Sequence, residues 1–433
     1  MESLWQKNIK MPAFNKLKGD KKADVLIIGG GLAGLLTAYF LKQSGTECIL
    51  VEKGRICNST TAGTTAKITF QHGLIYHKLL KRSGIETAQG YLQANKKAFD
   101  EYARMCKNIN CDYEIKDNFV YSLDDMKALE DELAAVYKIG YPAQFCKTLP
   151  LPFQTAGAVK FPDQAQFHPL RFAAAIAENI PVYENTWVRK LQGNKAVTDS
   201  GTITANHIIV TTHFPFINTH GSYFLKLYQH RSYVLALEDA QQVEGMYVSD
   251  SKTGLSFRNY KNFLLLGGGA HRTGKQGGNW EELRRFANEY YPRSREYCFW
   301  AAQDCMSLDE MPYIGQYSAG TEQIYTASGF NKWGLTGTML SALLLRDKLL
   351  GKTNDFMEMF SPSRRILKPQ LFINGWEAVK NLLTISRKRC PHLGCTLKWN
   401  SAEHSWDCPC HGSRFDENGG LLNNPANGDL KTE

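Results

Sequence analysis

Four of the eleven cysteines lie within 21 residues near the C-terminus, interleaved with two histidines: Cys390-Pro-His392-Leu-Gly-Cys395 and Cys408-Pro-Cys410-His411-Gly-Ser413. Thiolate sulfur and imidazole nitrogen are ligands for borderline and soft metals, so this density reads as a metal site. Cys390 and Cys408 can bind one iron of a two-iron cluster through thiolates, and His392 and His411 the other through imidazole nitrogen. Two neutral imidazoles in place of two anionic thiolates raise the potential of such a centre well above that of an all-cysteine one. A zinc ribbon is the competing reading. It does not account for Cys and His alternating inside each knuckle, nor for a further cysteine in each. The remaining seven cysteines are scattered and read as ordinary thiols.

A second chemical signature stands near the N-terminus. Gly29-Gly-Gly31-Leu32-Ala33-Gly34 fits G-x-G-x-x-G after an apolar, strand-like run. Gly29 permits the tight turn, Gly31 lets backbone approach a pyrophosphate, and Gly34 lets helix and strand pack closely. The helix start offers free N–H groups and a positive dipole end to phosphates. Glu52, at the end of the next strand, stands where a carboxylate accepts both ribose hydroxyls. Gly267-Gly-Gly269-Ala-His-Arg272 also follows an apolar run, but Arg272 takes the third glycine's place, and a turn is expected there. One fingerprint implies one dinucleotide, with FAD and NAD(P) both open on these residues alone.

These residues need a scaffold. A chain of 433 residues with 43% hydrophobic and 21% charged composition is long enough for two or three globular domains. Ala23–Ile28, Ala33–Gln43 and Glu47–Val51 read as strand, helix and strand. Helices are expected near Glu86–Lys107, Asp124–Ile139, Leu170–Glu178, Asn279–Tyr291 and Gly337–Leu350. A loop is expected at Pro162–Pro169, and strands at Pro181–Val210, Ser232–Leu237 and Asn262–Leu266. The uncharged stretch Val25–Leu41 is broken by glycines and is too short to span a bilayer. No export signal is read in the first residues, so the expected compartment is cytoplasmic. A net charge of +9 is compatible with acidic partners or an anionic membrane, and nothing indicates nucleic acid. The expected division is an arm over 1–22, an oxidoreductase domain over 23–360, a linker helix over 361–387 and a cluster module over 388–433.

Residues from Glu52-Lys53-Gly-Arg through Ser59-Thr-Thr-Ala-Gly63-Thr64-Thr65-Ala66-Lys67-Ile-Thr69 to Gln71-His72-Gly73 resemble flavoproteins of the D-amino-acid oxidase/glycine oxidase superfamily. So do Phe161-Pro-Asp, Gln166-Phe-His-Pro169, Thr212-His-Phe-Pro215, Asp309-Glu-Met-Pro312-Tyr-Ile-Gly315 and Ser328-Gly329 with Gly334 and Gly337. The resemblance implies an α/β, Rossmann-like FAD-binding domain interleaved with an antiparallel-sheet substrate domain. Besides the fingerprint and Glu52, it implies FAD contacts from Lys53, Thr64, Thr65, Ala66, Val188, Gly329, Gly334, Leu335 and Thr336. Candidate catalytic or pocket residues are His271, His72, Tyr233, Arg258 and His213. Arg258 is either a partner for a substrate carboxylate or an exposed surface arginine. Cys305 reads as a packed thiol rather than a covalent flavin attachment.

The C-terminal knuckles resemble the Rieske [2Fe–2S] site of cytochrome bc-type complexes. That resemblance implies a disulfide between Cys395 and Cys410, and hydrogen bonding to the cluster from Ser413. Phe415 stands where high-potential members carry a tyrosine. Few residues precede the first knuckle, so the usual β-sheet base is expected to be largely missing from a small, truncated β-rich module that leans on the flavin domain. The whole chain resembles bacterial FAD-dependent oxidoreductases with a C-terminal Rieske domain, whose flavin part is similar to γ-glutamylputrescine oxidoreductase. The implied activity is oxidation of a small-molecule amine or amino acid, with electrons leaving through the cluster to a one-electron acceptor. The alternative is an electron-transfer protein or redox sensor without an organic substrate. Gly267 occupies the place of an oxygen-activating lysine in sarcosine-oxidase-like relatives, which points to a dehydrogenase.

Overall fold

The computed structural model describes residues 1–251 and 254–430. Among the described residues, three sheets organise the chain. The first is eight-stranded, with the order Tyr313–Gln316, Ile324–Ser328, Gly201–Val210, Lys21–Ile28, Cys48–Val51 and Val182–Tyr183 along its main path. Its central pairs are parallel, and Val25, Leu26, Ile27 and Ile28 are all buried, as a strand covered on both faces requires. The expected strand–helix–strand unit lies here, its helix running Leu32–Gln43. This helix packs on Gly334–Leu349, which starts three residues earlier than the apolar run indicated.

The second sheet has nine strands, mostly antiparallel, built around Leu227–Glu238 between Arg295–Ser307 and Phe263–Arg272. The triple glycine 267–269 falls inside the strand Phe263–Arg272, not in the expected turn. The glycines serve close packing: a Cβ at Gly268 would lie 2.5 Å from Leu255 Cδ2, and one at Gly269 2.9 Å from the backbone nitrogen of Asn279. The loop expected at Pro162–Pro169 is mostly strand, Gly157–Gln166. Its pairing shifts register opposite Lys116 and Asn118, and Asp163 adopts φ +53. A bulge there accommodates the proline without a lost ladder bond.

The helix expected from Glu86 begins at Ile75 and runs to Cys106, broken at Gly84, where φ is +84. Residues 1–22 are more than an arm. Ser3 and Gln6 form a capping box for a short helix Leu4–Lys7, and Trp5 is fully buried with its Nε1 donating to Thr64 O at 2.7 Å.

The expected linker helix is Pro369–Leu383. Beyond it lies a four-stranded antiparallel sheet of Lys398–Asn400, Ser405–Asp407, Arg414–Phe415 and Leu421–Asn423. The expectation of a largely missing base is therefore half corrected. Among the described residues an isolated bridge, Arg389 to Thr396, brackets the first knuckle, and short strands between and after the knuckles make a sheet. A small core of Cys390, Cys395, Leu397, Cys408, Cys410, Phe415 and Ala426 sits beneath it.

Candidate functional site

A cavity of about 610 Å³ runs from the first sheet into the second. At one end, Gly29 leaves the strand with φ +112, where a Cβ would stand 2.7 Å from Thr211 O. Gly34 is tighter: its Cβ would lie 2.0 Å from Gly29 O. By contrast, the nearest neighbour to a Cβ at Gly31 is Thr61 Oγ1 at 3.6 Å, so the space beside Gly31 belongs to the cavity. Gly30, an unconstrained position in the motif, also requires glycine, because a Cβ would meet Ile56 Cγ2 at 2.8 Å. The Glu52 carboxylate accepts from Gly30 N at 2.7 Å and Gly54 N at 2.9 Å. Burial raises its pKa, and those two amide donors act against the rise.

Of the expected nucleotide contacts, Gly29, Gly31, Leu32, Ala33, Glu52, Lys53, Thr64, Thr65, Val188, Gly334 and Leu335 line the cavity. Gly34, Ala66, Gly329 and Thr336 stand behind that lining. Gly329 turns the chain at φ +73 and Ala66 at φ +59, each setting the backbone that its neighbours present.

The expected catalytic residues separate. His72 lines the cavity, but both ring nitrogens are engaged. Nε2 lies 2.9 Å from Thr69 O, so it carries the proton, and Nδ1 accepts from Tyr91 Oη at 2.6 Å. Burial pulls its pKa down to about 3, and its ring stacks on Trp333 at 4.9 Å. His72 is a neutral strut beneath the turn that opens Gly334–Leu349. Arg258 is neither surface-exposed nor on the cavity. It is fully buried, and its Nη1 donates to Thr65 O at 2.8 Å and Ala66 O at 2.6 Å. Both expectations for it are corrected: it braces the 64–66 turn from behind, with Trp5 over its guanidinium.

His271 lies outside the lining, whereas Tyr233 is part of it. Tyr233 Oη sits 2.9 Å from His271 Nε2 and 3.1 Å from Glu403 Oε1 of the C-terminal module. Tyr233 thus links the cavity wall to the junction between flavin-like domain and cluster module, where His271 lies. His213 does line the cavity, with φ +67 and a buried ring whose pKa burial lowers to about 4. Cys305 is buried, its sulfur 3.5 Å from Ser328 Oγ. Sequence reasoning did not single out Lys67. It lines the cavity with Nζ 3.1 Å from Thr65 Oγ1, and burial, reinforced by Arg258, lowers its pKa to about 7.

The two knuckles repeat one backbone pattern. Gly394 N donates to Cys390 O and Gly412 N to Cys408 O, both at 2.9 Å. Cys390 N donates to Cys395 O and Cys408 N to Ser413 O, both at 2.8 Å. The fifth residue of each is a glycine at φ +79 or +85. This folds the two loops face to face. The sulfurs of Cys395, Cys408 and Cys410 lie within 4.8 Å of one another, and Cys390 is in hydrogen-bond reach of Cys408 and of the Ser413 hydroxyl. The rings of His392 and His411 are 4.9 Å apart at 86°. Each has a buried Nδ1 without a partner among the described residues. A buried, neutral, unpartnered imidazole nitrogen is what a metal ligand looks like without its metal. The donor set fits a two-iron cluster. Cys395 and Cys410 are both thiols here, so the expected disulfide is not formed in this structure.

The flavin-like domain holds the second knuckle by its carbonyls. Gln229 Nε2 donates to His411 O at 2.7 Å, and Gln303 Nε2 to Gly412 O at 2.7 Å. Arg272 donates to Pro409 O and Cys410 O, each at 3.0 Å. Arg272 is the residue that spoils the second glycine pattern, and nothing in that pattern signals its contact with residues 137 and 138 positions away. Below, Arg231 and Arg414 both pair with Glu403, and Arg414 Nε also meets Asp407 at 2.9 Å. One segment, Thr211–Phe216, faces both sites. Thr211, Thr212, His213 and Phe216 line the cavity, while the buried Phe214 ring stands 6.3 Å from His392 and 6.2 Å from His411.

Residues 24–348 match the family described as FAD dependent oxidoreductase. The chain belongs to that family. Residues 355–432 match the Rieske [2Fe-2S] domain, so this oxidoreductase carries FAD and a [2Fe–2S] cluster. Over 99% of its length it is 33% identical to Bacillus subtilis (strain 168) YhfW, which bears the name of a Rieske 2Fe-2S iron-sulfur protein, and it covers 97% of that relative. A 42-residue stretch is 52% identical to a cytochrome b6-f complex iron-sulfur subunit of Trichormus variabilis, covering 24% of that subunit. In fold the oxidoreductase resembles glycine oxidase from Geobacillus kaustophilus (TM-score 0.68, 18% identity, 80% of this chain and 100% of that one). It also resembles L-proline dehydrogenase from P. horikoshii (TM-score 0.67, 16% identity, 80% and 98%). Among the described residues no helix is long and apolar enough to cross a membrane.

Proposed function

We propose that this oxidoreductase oxidises a small amine or amino acid and passes the electrons through its Rieske cluster to a one-electron acceptor, acting as a dehydrogenase. The observation that carries the reading is the Thr211–Phe216 segment, with the cavity on one side and the Phe214 ring against both cluster histidines on the other. The substrate class draws on glycine oxidase and L-proline dehydrogenase, to which the fold is similar. FAD supplies hydride acceptance from a carbon bearing nitrogen, and the cluster supplies one-electron transfer.

The chain's own residues have these roles. Glu52, oriented by Gly30 and Gly54, keeps lone pairs for ribose hydroxyls. The helix N-terminus at Leu32 and Ala33 would receive the pyrophosphate, and the one at Gly334–Thr336 the pyrimidine end of the flavin. Lys53 and Val188 would flank the adenosine, and Thr64–Ala66, braced by Arg258, would flank the ring system. Cys390 and Cys408 would hold one iron, and the Nδ1 atoms of His392 and His411 the other. Cys395 and Cys410 close a disulfide over them once oxidised. Lys67, balanced near neutrality, takes a proton from the substrate ammonium group so that the neutral amine reacts.

Anaerobic mixing with a panel of amines and amino acids tests the reading. One of them is expected to bleach the flavin and then raise the Rieske spin signal at a rate independent of protein concentration. Bleaching by none favours the redox-sensor reading, and a rate that scales with protein concentration overturns the internal route. With a substrate in hand, flavin reduction should fall as pH drops below about 7, and Lys67→Met should remove that limb.

A further inference from the structure

The helix Pro369–Leu383 is turned inside out. Its buried residues are Asn374 and Asn381. With Gln370 and Glu377 they recur at i, i+4, i+7 and i+11, the spacing of one helical face. That face is fixed by polar contacts. Asn374 Oδ1 accepts from Arg272 Nη1 at 3.0 Å, Glu377 meets Lys275 at 2.6 Å, and Asn381 O accepts from Thr396 N at 3.0 Å. The opposite face presents Phe372, Ile373, Trp376, Val379 and Leu383 at 67%, 52%, 69%, 49% and 78% exposure, with Ile385 at 96% just beyond. A helix that only packed on its own domain would carry the reverse pattern. The apolar face has no counterpart within the described residues, and a contiguous apolar face of this kind marks an interaction surface.

Charge selects the partner. Between Ser361 and Arg389 there are seven Lys and Arg residues and one acid, Glu377, a balance of +6 (7 − 1) within a chain of +9. That acid is turned inward onto Lys275. Arg365 before the helix, Lys380 on it and Arg387, Lys388 and Arg389 after it are exposed. An apolar stripe with a central tryptophan, flanked at both ends by cations, is the composition of a helix lying in the interface of an anionic bilayer. A two-fold contact with a second copy would bring this basic segment against itself. At 15 residues the helix is too short to span.

We propose that this helix docks the protein on an anionic lipid surface, with Phe372, Trp376, Val379 and Leu383 at the acyl boundary and the flanking cations among the headgroups. The inference does not depend on the substrate or on the direction of electron flow. It would set the first knuckle at the membrane. Arg389 Nη1 donates to both Leu382 O and Gly394 O, and Leu393, beside the cluster ligand His392, is 39% exposed.

The test is flotation of the full-length holoprotein with vesicles of phosphatidylcholine alone or with an equal part of phosphatidylglycerol. Binding to the mixed vesicles is expected, about tenfold weaker to the neutral ones, and weakened by added salt. The double variant Trp376→Glu, Leu383→Glu should bind about tenfold more weakly or worse. Both positions are exposed, so its flavin absorbance and Rieske spin signal should match those of the parent. Failure to float with phosphatidylglycerol, or equal flotation of the variant, overturns the proposal. So does sedimentation in lipid-free buffer showing a stable dimer that the variant dissociates, which would assign the face to a second copy.

Discussion

Around the large cavity, the expected cofactor contacts are contributed by segments scattered from Gly29 to Leu335. The cluster site draws six side chains from the 22 residues between Cys390 and His411. The cradle's limits are steric: a Cβ at Gly34 has nowhere to go, whereas many of its lining side chains could change. The knuckles' limits are chemical, because a thiolate or an imidazole nitrogen has no substitute. The two sites should therefore fail in different ways, and each can be broken without the other.

The largest effect is expected from Cys408→Ser. A serine hydroxyl is a poor iron ligand at neutral pH, so the Rieske spin signal should vanish while flavin absorbance stays. Stoichiometric zinc with no iron in anaerobically prepared parent protein would reverse the assignment of the knuckles altogether. Gly34→Ala is the matching change in the cradle. With Gly29 O 2.0 Å from the new Cβ, strand and helix must part, at about 1–3 kcal/mol of overpacking. Flavin affinity should drop more than tenfold while the cluster signal persists. Retained flavin at parental affinity would mean that the turn relaxes without moving the cradle.

What was legible in the sequence follows the same division. Both sites were readable where the chemistry is local: the strand–glycine–helix unit, Glu52, and the alternating Cys and His of the knuckles. What depended on distant partners was not. His271 looks like a pocket residue in a linear reading, yet it lies outside the lining, held at the junction by Tyr233, which does line the cavity and also bonds Glu403 some 170 residues on. Arg258 gives no sign that Trp5 and the carbonyls of Thr65 and Ala66 will enclose it. Gly267–Gly269 read as a turn because a strand that needs three glycines for close approach is indistinguishable, locally, from a loop. The strands of the C-terminal sheet span only two or three residues, too few for an alternation to register.

The junction between the regions is the next target. Glu403 is buried between Arg231 and Arg414. Burial alone would raise its pKa, but the two guanidiniums dominate and hold it at about 2. An acid whose folded pKa lies below its unfolded value stabilises the fold above the unfolded pKa, near 4.5, and loses that contribution as pH falls toward the folded one. The shift corresponds to about 3 kcal/mol. Glu403→Gln also leaves Arg231 without its carboxylate, so a loss of about 3–5 kcal/mol is expected at neutral pH. Chemical unfolding at pH 7 and pH 3 checks both statements: pH 3 still lies above the folded pKa of about 2, so the gap between parent and variant should shrink by about 2 kcal/mol. An unchanged gap would mean that the ion pairs are not what holds the module in place.

The smallest expected effect bears on how the two regions are matched in potential. Phe415 is fully buried in the small core that contains Cys390 and Cys408, and its neighbour Ser413 reaches Cys390 through its hydroxyl. Phe415→Tyr adds one hydroxyl to a core that already accommodates the ring. A hydrogen bond donated to a cluster-bound sulfur stabilises the more negative, reduced state and so raises the potential. With a net worth of about 1 kcal/mol for one hydrogen bond, a one-electron couple should move up by about 40 mV. Redox titration of the spin signal in parent and variant measures this directly. Ser413→Ala, which removes the existing donor, should move the midpoint the opposite way by a similar amount. If Phe415→Tyr leaves the midpoint unchanged while Ser413→Ala lowers it, the new hydroxyl does not reach sulfur, and the cluster's potential is set from the Ser413 side alone.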